Sequence, residues 1–288
     1  MHKQETMTMI LHAINQRQSL EETSQAFRLF NGFYEGYPGL VLDRYGPTLV
    51  LFDHNVPGQS QEIINQITRW GLDNLQGIES VILKQRQNPD QRLKNGILIA
   101  GTSIPDSITE FGIRYALDLK MNQDASFYLD TRNLRRWLLE QLSGLSLLNT
   151  FAYTGSLGIS AGFGGAEKVV QTDINHKFLD IAQKSWSLNA LDPLKCEIIS
   201  GDFFRVIGRM RHQNLLFNCV ILDPPFFSST EAGTIDLEKE TSRLINKVRP
   251  LVAHEGWLVV INNALYLSGA DFMDELNQLC ESKYIAFE

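Results

Sequence analysis

Cysteine is scarce in this chain. The three present, Cys196, Cys219 and Cys280, lie far apart and are odd in number. That spacing excludes a disulfide framework or a zinc cluster and fits a reducing compartment. No apolar run reaches the roughly 20 residues needed to cross a bilayer. The opening residues, Met1-His2-Lys3-Gln4-Glu5, have no apolar signal core. These absences predict a cytoplasmic protein with no membrane partner and no metal. Positive charge is also in short supply. A net charge of -7 argues against a broad electrostatic grip on nucleic acid, though local basic patches are compatible with it. There is no internal repeat, no G-x-G-x-x-G spacing and no Gly-Lys-Ser/Thr ending of a phosphate loop, so neither a dinucleotide nor a nucleoside triphosphate is favoured.

What is present is organised around Leu145 to Asp173. The apolar run Leu147-Leu148-Asn149-Thr150 meets the turn Phe151-Ala152-Tyr153-Thr154-Gly155. A helical stretch follows, then Lys168-Val169-Val170-Gln171-Thr172-Asp173. This pattern predicts one βαβ unit. Gly155 is expected to let the backbone approach a ligand. Asp173, at the tip of the second strand, is placed to accept both hydroxyl protons of a ribose. The unit points to an adenosine-type ligand at the C-terminal edge of a parallel sheet.

A length of 288 residues suggests two domains or one large α/β domain, and 43% hydrophobic residues suffice for a core. Residues 8 to 22 read as a helix and Phe27–Phe30 as extended. Leu40–Tyr45 and Thr48–Asp53 read as a hairpin turning at Gly46-Pro47, Ser60–Trp70 as a helix and Ser80–Lys84 as a strand. This predicts a small α+β domain over residues 1–90, with Arg86–Arg92 as linker, and a larger domain over 91–288. The larger domain begins with short antiparallel strands at Ile97–Ala100, Ser107–Glu110 and Ile113–Leu119. Asp130 is placed to cap the helix carrying Arg132, Arg135 and Arg136. These arginines fit either a solvated face or a phosphate contact. After the βαβ unit come a helix near Lys177–Asn189 and strands at Cys196–Ser200, Phe217–Leu222 and Gly256–Asn262. Helices are expected at Glu238–Val252 and Asp271–Ser282, and a sixth strand beginning at Lys283–Glu288.

The third strand runs into Asp202-Phe203. An acid and an aromatic there can bond an adenine amino group and cover its ring; a helix cap followed by core phenylalanines reads the same way. The fourth strand runs into Asp223-Pro224-Pro225-Phe226. Each proline fixes φ, removes an N–H and restrains the residue before it. The result is a stiff backbone presenting a carboxylate and carbonyls as acceptors beside an aromatic face. Such a surface suits a planar, amine-bearing group such as a nucleobase.

Taken in order, these motifs resemble the class I S-adenosylmethionine-dependent methyltransferases. More narrowly, the chain resembles the bacterial 23S ribosomal RNA methyltransferases that modify cytosine C5 or guanine N7. Three further segments carry that likeness: Pro38 to Gly46, Tyr128-Leu129-Asp130-Thr131-Arg132 with Arg135-Arg136, and Asn149 to Gly155. The resemblance implies an α/β fold with a Rossmann-like sheet and a small N-terminal α+β domain. It implies S-adenosyl-L-methionine as cofactor, held by Asn149, Phe151, Tyr153, Thr154, Gly155, Asp173, Asp202, Phe203 and Asp223. The Asp130 and Arg132 segment is expected to close over it. Catalysis would rest on Asp223, Pro224, Pro225, Phe226 and Asn262. The implied partner is RNA, large-subunit ribosomal RNA above all, and a homodimer is compatible with the sequence. RNA binding by so acidic a chain would need Arg86, Arg92, Lys94, Arg132, Arg135 and Arg136 to form a local basic mouth.

The chain departs from the family pattern in three ways. It starts too late to hold an N-terminal domain of PUA type. It also stops where only the first strand of the usual closing hairpin would fit. Methylation at cytosine C5 needs a thiolate to add at C6, and the position after the fifth strand reads Val260-Ile261-Asn262-Asn263-Ala264. The asparagine pair resembles the guanine-N7 branch, where alignment of a lone pair with the methyl suffices. Methylation of a small molecule or protein side chain, and a cofactor-binding RNA module without turnover, are the competing readings.

Overall fold

The structure is a computed structural model that describes residues 3–264, 267–281 and 286. It comprises two compact units, Met1–Asn133 and Leu134–Glu288.

The first unit opens with α1 (Lys3–Gln16) and a 3-10 turn at Gln18–Glu22. Then come β1 (Ala26–Asn31), β2 (Leu40–Tyr45), β3 (Thr48–Asp53), α2 (Gln61–Asn74), β4 (Ser80–Gln85), α3 (Gln91–Asn95), β5 (Ile97–Ala100), β6 (Ser107–Glu110) and β7 (Ile113–Ala116). Strands β1 to β5 form one sheet in sequence order, and β6 and β7 form a separate hairpin. The β2–β3 turn sits at Gly46-Pro47, with Tyr45 opposite Thr48. Helix α2 buries Ile63, Ile64 and Ile67, the 3–4 spacing of one helical face. They join Ile10, Leu29, Phe30, Leu42, Leu49 and Leu51 in the core.

The unit extends past the expected boundary near residue 90. β5 pairs antiparallel with β4, completing the first sheet. The polar stretch expected to be a linker is ordered instead, because Asp90 accepts the Arg92 N–H and caps α3. Lys84 ties the later segment to the sheet. It is fully buried, and its Nζ donates to the carbonyls of Asn95, Asn122 and Asp124 at 2.6, 2.8 and 2.9 Å.

Helix α4 (Arg132–Gln141) spans the division between the units. The second unit continues with β8 (Ser146–Thr150), α5 (Ser156–Phe163), β9 (Lys168–Asp173), α6 (His176–Leu188), β10 (Cys196–Ser200), α7 (Phe203–His212) and β11 (Phe217–Leu222). A hairpin follows, β12 (Phe227–Thr230) and β13 (Gly233–Asp236), then α8 (Leu237–Val248), β14 (Val252–Val260) and α9 (Gly269–Cys280). The main sheet has the order β10-β9-β8-β11-β14, and every adjacent pair is parallel. The α/β architecture expected from sequence is therefore present. Alternation along the strands divides the core. Leu148, Val170, Val220 and Leu222 pack with residues of α7 and α8, while the alternate residues Leu147, Val169 and Ile221 are equally buried.

Two elements differ from expectation. The residues after Asp223-Pro224-Pro225-Phe226, for which the sequence suggested no element, form the β12–β13 hairpin. Helix α8 stops at Val248, one residue before Arg249-Pro250, because a proline cannot continue a helix. The expected sixth strand at Lys283–Glu288 falls, but for Ala286, outside the described residues.

Replacing Lys84 with methionine should strand three buried carbonyls. We expect the unfolding free energy, measured by urea titration, to fall by about 3 kcal/mol. A loss below about 0.5 kcal/mol, the range of ordinary surface substitutions, would show that Lys84 does not hold this region.

Candidate active site

Because the strands are all parallel, their carboxyl ends lie along one edge. The chain runs β8, β9, β10 toward one flank, then returns to place β11 and β14 on the other side of β8. At the reversal between β8 and β11, the topology of an open α/β sheet places the candidate ligand crevice. The residues at the crevice are those that follow each strand: 151–155, Asp173, 201–203, 223–226 and 261–263.

The turn after β8 has an unusual backbone. Phe151 and Tyr153 have φ of 53° and 51°, and Gly155 has 76°. Left-handed aromatic residues are rare and strained. Asp173 stabilises the turn: its Oδ2 accepts the Tyr153 N–H at 2.9 Å, while Oδ1 accepts the Asn175 N–H at 2.9 Å. The carboxyl is half-buried. Burial pushes its pKa above the ordinary 3.8, against the pull of the backbone N–H groups of Asn175, Tyr153 and Ile174. The Phe151 ring stacks on Phe203, centroids 4.6 Å apart, and Tyr153 meets Phe178 edge-on.

Gly155 is also needed for a reason that the sequence did not suggest. A Cβ there would lie 2.5 Å from the Ala182 Cβ and 2.7 Å from Gln171 Oε1. This close approach is to the protein's own interior. Gln171, fully buried, also receives the Asn149 amide at 3.3 Å. Asn149 is buried, and its Oδ1 has no hydrogen-bond partner. Sequence reasoning passed over Gln171, although a glutamine inside the apolar run Val169-Val170-Gln171 was a signal.

Asp202 caps α7 by accepting the Arg205 N–H at 3.1 Å, and its other oxygen accepts the Thr230 hydroxyl at 2.5 Å. Phe203 is buried between Phe151 and Phe204. Both features of the helix-cap reading are thus present, and Thr230 of the unforeseen hairpin is the added partner. At the end of β11, Pro224 is buried and Pro225 exposed. The asparagine pair splits its work. Asn263 Nδ2 donates to Asp223 Oδ1 at 2.6 Å and to the Pro224 carbonyl at 3.0 Å. Asn262 folds its own loop, donating to the Leu267 carbonyl and accepting the Ala264 N–H. The direct partner of the rigid motif is Asn263, not the Asn262 singled out from sequence.

Burial pushes the Cys219 thiol up to about 12 and the Cys196 thiol up to about 11, so neither supplies a thiolate near neutrality. Most of the residues expected at the basic mouth are engaged within their own units. Arg135 is fully buried in α4, and Arg86, Arg92 and Arg136 pair with Asp124, Asp90 and Glu140. Asp130 and Arg132 lie in the first unit, where Arg132 stacks over the Phe111 ring and bonds Thr23.

A parallel sheet with a switch-point crevice and an acid at the second strand tip defines a Rossmann-like nucleoside-binding domain. The chain belongs to the S-adenosylmethionine-dependent methyltransferases, whose family description matches residues 52–285. Among curated relatives, it is 28% identical over 249 residues to a Bacillus subtilis protein provisionally described as ribosomal RNA large subunit methyltransferase YwbD. That match covers 84% of this chain and 62% of the relative. It is 31% identical over 208 residues to ribosomal RNA large subunit methyltransferase I of Aeromonas salmonicida, covering 72% of this chain and 52% of that one. The chain thus spans between half and two thirds of the length of these relatives. A solved structure, SMU.776, provisionally described as a methyltransferase and complexed with SAH, superposes with a TM-score of 0.86 at 21% identity. It covers 96% of this chain and 72% of that one, which establishes the shared fold.

Gly155→Ala should be destabilising on two counts, the positive φ and the collision with Ala182. We expect a loss of about 2 kcal/mol or more in urea unfolding, and near-normal stability would refute this account of the turn.

Proposed function

We propose that this chain methylates a base of large-subunit ribosomal RNA, with guanine N7 as the acceptor. The observation that carries the reading is the convergence of Asp173, Asp202 and the Asn263-braced Asp223-Pro224-Pro225 segment on one sheet edge. The names of the curated relatives support the substrate class.

The crevice residues fit S-adenosylmethionine. A carboxylate offers about four acceptor sites, so the two short backbone bonds to Asp173 leave capacity for ribose hydroxyls. Asp202 and the Phe203 edge would meet the adenine. The left-handed turn Phe151–Gly155, with Tyr153 and Thr154, would hold the methionine part, close to the uncapped first turn of α5. When bound, the cofactor supplies an electrophilic methyl on a sulfonium sulfur. The chain's own contribution is orientation. Asp223 and the proline carbonyls accept N–H groups from the base, Phe226 offers a face, and Asn263 holds the acceptors in register. Asn262 shapes the loop that carries Asn263.

Guanine N7 bears an in-plane lone pair, so its methylation requires neither a thiolate nor a general base. The raised pKa values of Cys196 and Cys219 keep both thiols protonated near neutrality, which favours this branch over cytosine C5.

The raised pKa of Asp173 gives a pH signature. The ionised carboxylate accepts ribose hydroxyls and the protonated form does so poorly. Affinity for S-adenosylhomocysteine, measured by calorimetry, should therefore hold near neutrality and fall on acidification through a pH above 3.8. Asp173→Asn should bind about 10- to 100-fold more weakly and lose this pH dependence. Unchanged affinity in the variant would remove Asp173 from the site. For the reaction, the full chain is incubated with methyl-labelled cofactor and large-subunit RNA from cells lacking the gene. Nucleoside mass spectrometry should find label in 7-methylguanosine. Label in 5-methylcytidine would overturn the assigned atom, and no label in RNA would overturn the substrate.

A further inference from the structure

The first unit contains a cavity of about 700 Å³, whose wall includes the Asp130 and Arg132 segment and extends well beyond it to Arg28, Phe33, Tyr34 and Asp43. Its size falls among ordinary small-ligand pockets, about 300–1,000 Å³. Phe27, Val41 and Tyr45 contribute apolar surface. Across it runs an ion pair: Arg28 Nε and Nη2 donate to Asp43 Oδ1 and Oδ2 at 2.8 and 3.1 Å. Asp43 is buried, while the Arg28 side chain is 42% exposed, so the guanidinium is fixed on one edge and open on the other. Burial pushes the Asp43 carboxyl up, even against its bond to Arg28, with Asp130 adding to the rise.

The walls carry aromatic rings that a soluble domain would ordinarily cover. Tyr34 is 89% exposed and Phe33 54%. Their loop is cross-linked by hydrogen bonds. The Asn31 carbonyl accepts the N–H groups of Tyr34 and Glu35, and the Glu35 carboxylate takes the Asn31 N–H and Arg17. His54 meets Phe33 edge-on at 5.0 Å. Burial, then Arg86, lowers its pKa, which keeps the ring neutral near pH 7. Two wall atoms, Asn31 Oδ1 and Arg132 Nε, are shielded from solvent and lack hydrogen-bond partners.

The arginines of the wall, Arg17, Arg28, Arg86 and Arg132, each have a carboxylate neighbour: Glu35, Asp43, Asp124 and Glu110. The site is therefore a poor general phosphate trap. Planar, fixed guanidiniums beside exposed rings are suited to a flat heterocycle with polar edges. That selectivity is compatible with a net charge of -7, because stacking and edge contacts do not need a broad positive field.

We propose that this cavity seats one unpaired nucleotide of the RNA substrate, its base laid on Phe33 and Tyr34 and its edge read by Arg28. The inference rests on the RNA reading given above and adds the means of recognition.

The test uses the full chain and a fluorescein-labelled, single-stranded RNA oligonucleotide of mixed sequence, alongside its perfect duplex. The F33A/Y34A double variant removes exposed rings and should fold normally. Single-stranded RNA should bind it at least about tenfold more weakly, since each stacked base is worth on the order of that factor. Arg28→Lys keeps the charge beside Asp43 but loses the fork, and should also weaken binding severalfold. Affinity for S-adenosylhomocysteine should not change in either variant, and the wild type should prefer the single strand to the duplex. Unchanged single-strand affinity in both variants overturns the proposal, as does equal weakening of single strand and duplex. Binding of a free nucleotide but not of RNA also overturns it. If wild-type protein labels ribosomal RNA and F33A/Y34A does so with unchanged KM, only this inference fails. If the wild type neither binds nor labels RNA, the substrate reading fails first and takes this one with it.

Discussion

The second unit depends on one short contact, the Tyr153 N–H donated to the Asp173 carboxylate. It joins the tips of the first two strands of the parallel sheet. It also stabilises a turn with two aromatic residues in the left-handed region, a conformation that costs on the order of 1–3 kcal/mol per residue. The same carboxylate accepts the N–H of Asn175, which caps α6. A single acid thus fixes the turn, the strand tip and the start of the next helix. Underneath, Gln171 fills the space left by Gly155 and Gly158 and receives the Asn149 amide. The shape of the crevice is set by buried polar contacts within the sheet.

The far side of the crevice is held by other means. Two prolines stiffen the exit from β11, and Asn263 from the end of β14 bridges Asp223 and the Pro224 carbonyl. The β12–β13 hairpin returns Thr230 to Asp202, so the tips of β10 and β11 are linked through it. Acceptors held this way need little reorganisation when a base arrives, which is the condition for catalysis by alignment.

Much of this was legible in the chain. The five strands of the main sheet, the Asp-Pro-Pro-Phe exit and the acid at Asp173 follow from apolar runs, proline chemistry and spacing. The hidden features have common physical causes. Phe151 and Tyr153 carry no marker of left-handed backbone, because a tertiary contact imposes it. Arg135 fitted either a solvated face or a phosphate contact by residue type, yet tertiary packing buries it. The first unit outran its expected boundary because the strand that completes its sheet, β5, lies beyond a polar stretch that resembles a linker. Asn262 and Asn263 are indistinguishable in sequence, and only the direction of the chain leaving β14 assigns the contact to Asn263. The first unit's cavity draws on residues from 17 to 132, a set that no local pattern could assemble.

The central claim is that the cofactor sits over the tips of β8, β9 and β10 with its reactive end toward the proline pair. Amide hydrogen exchange with and without saturating S-adenosylhomocysteine tests it directly. Protection should rise at residues 151–155, at 173–175 and at 202–205, and in the loop after β11, with the interior of the first unit's sheet unchanged. Protection confined to other segments, or none at saturation, would contradict the account.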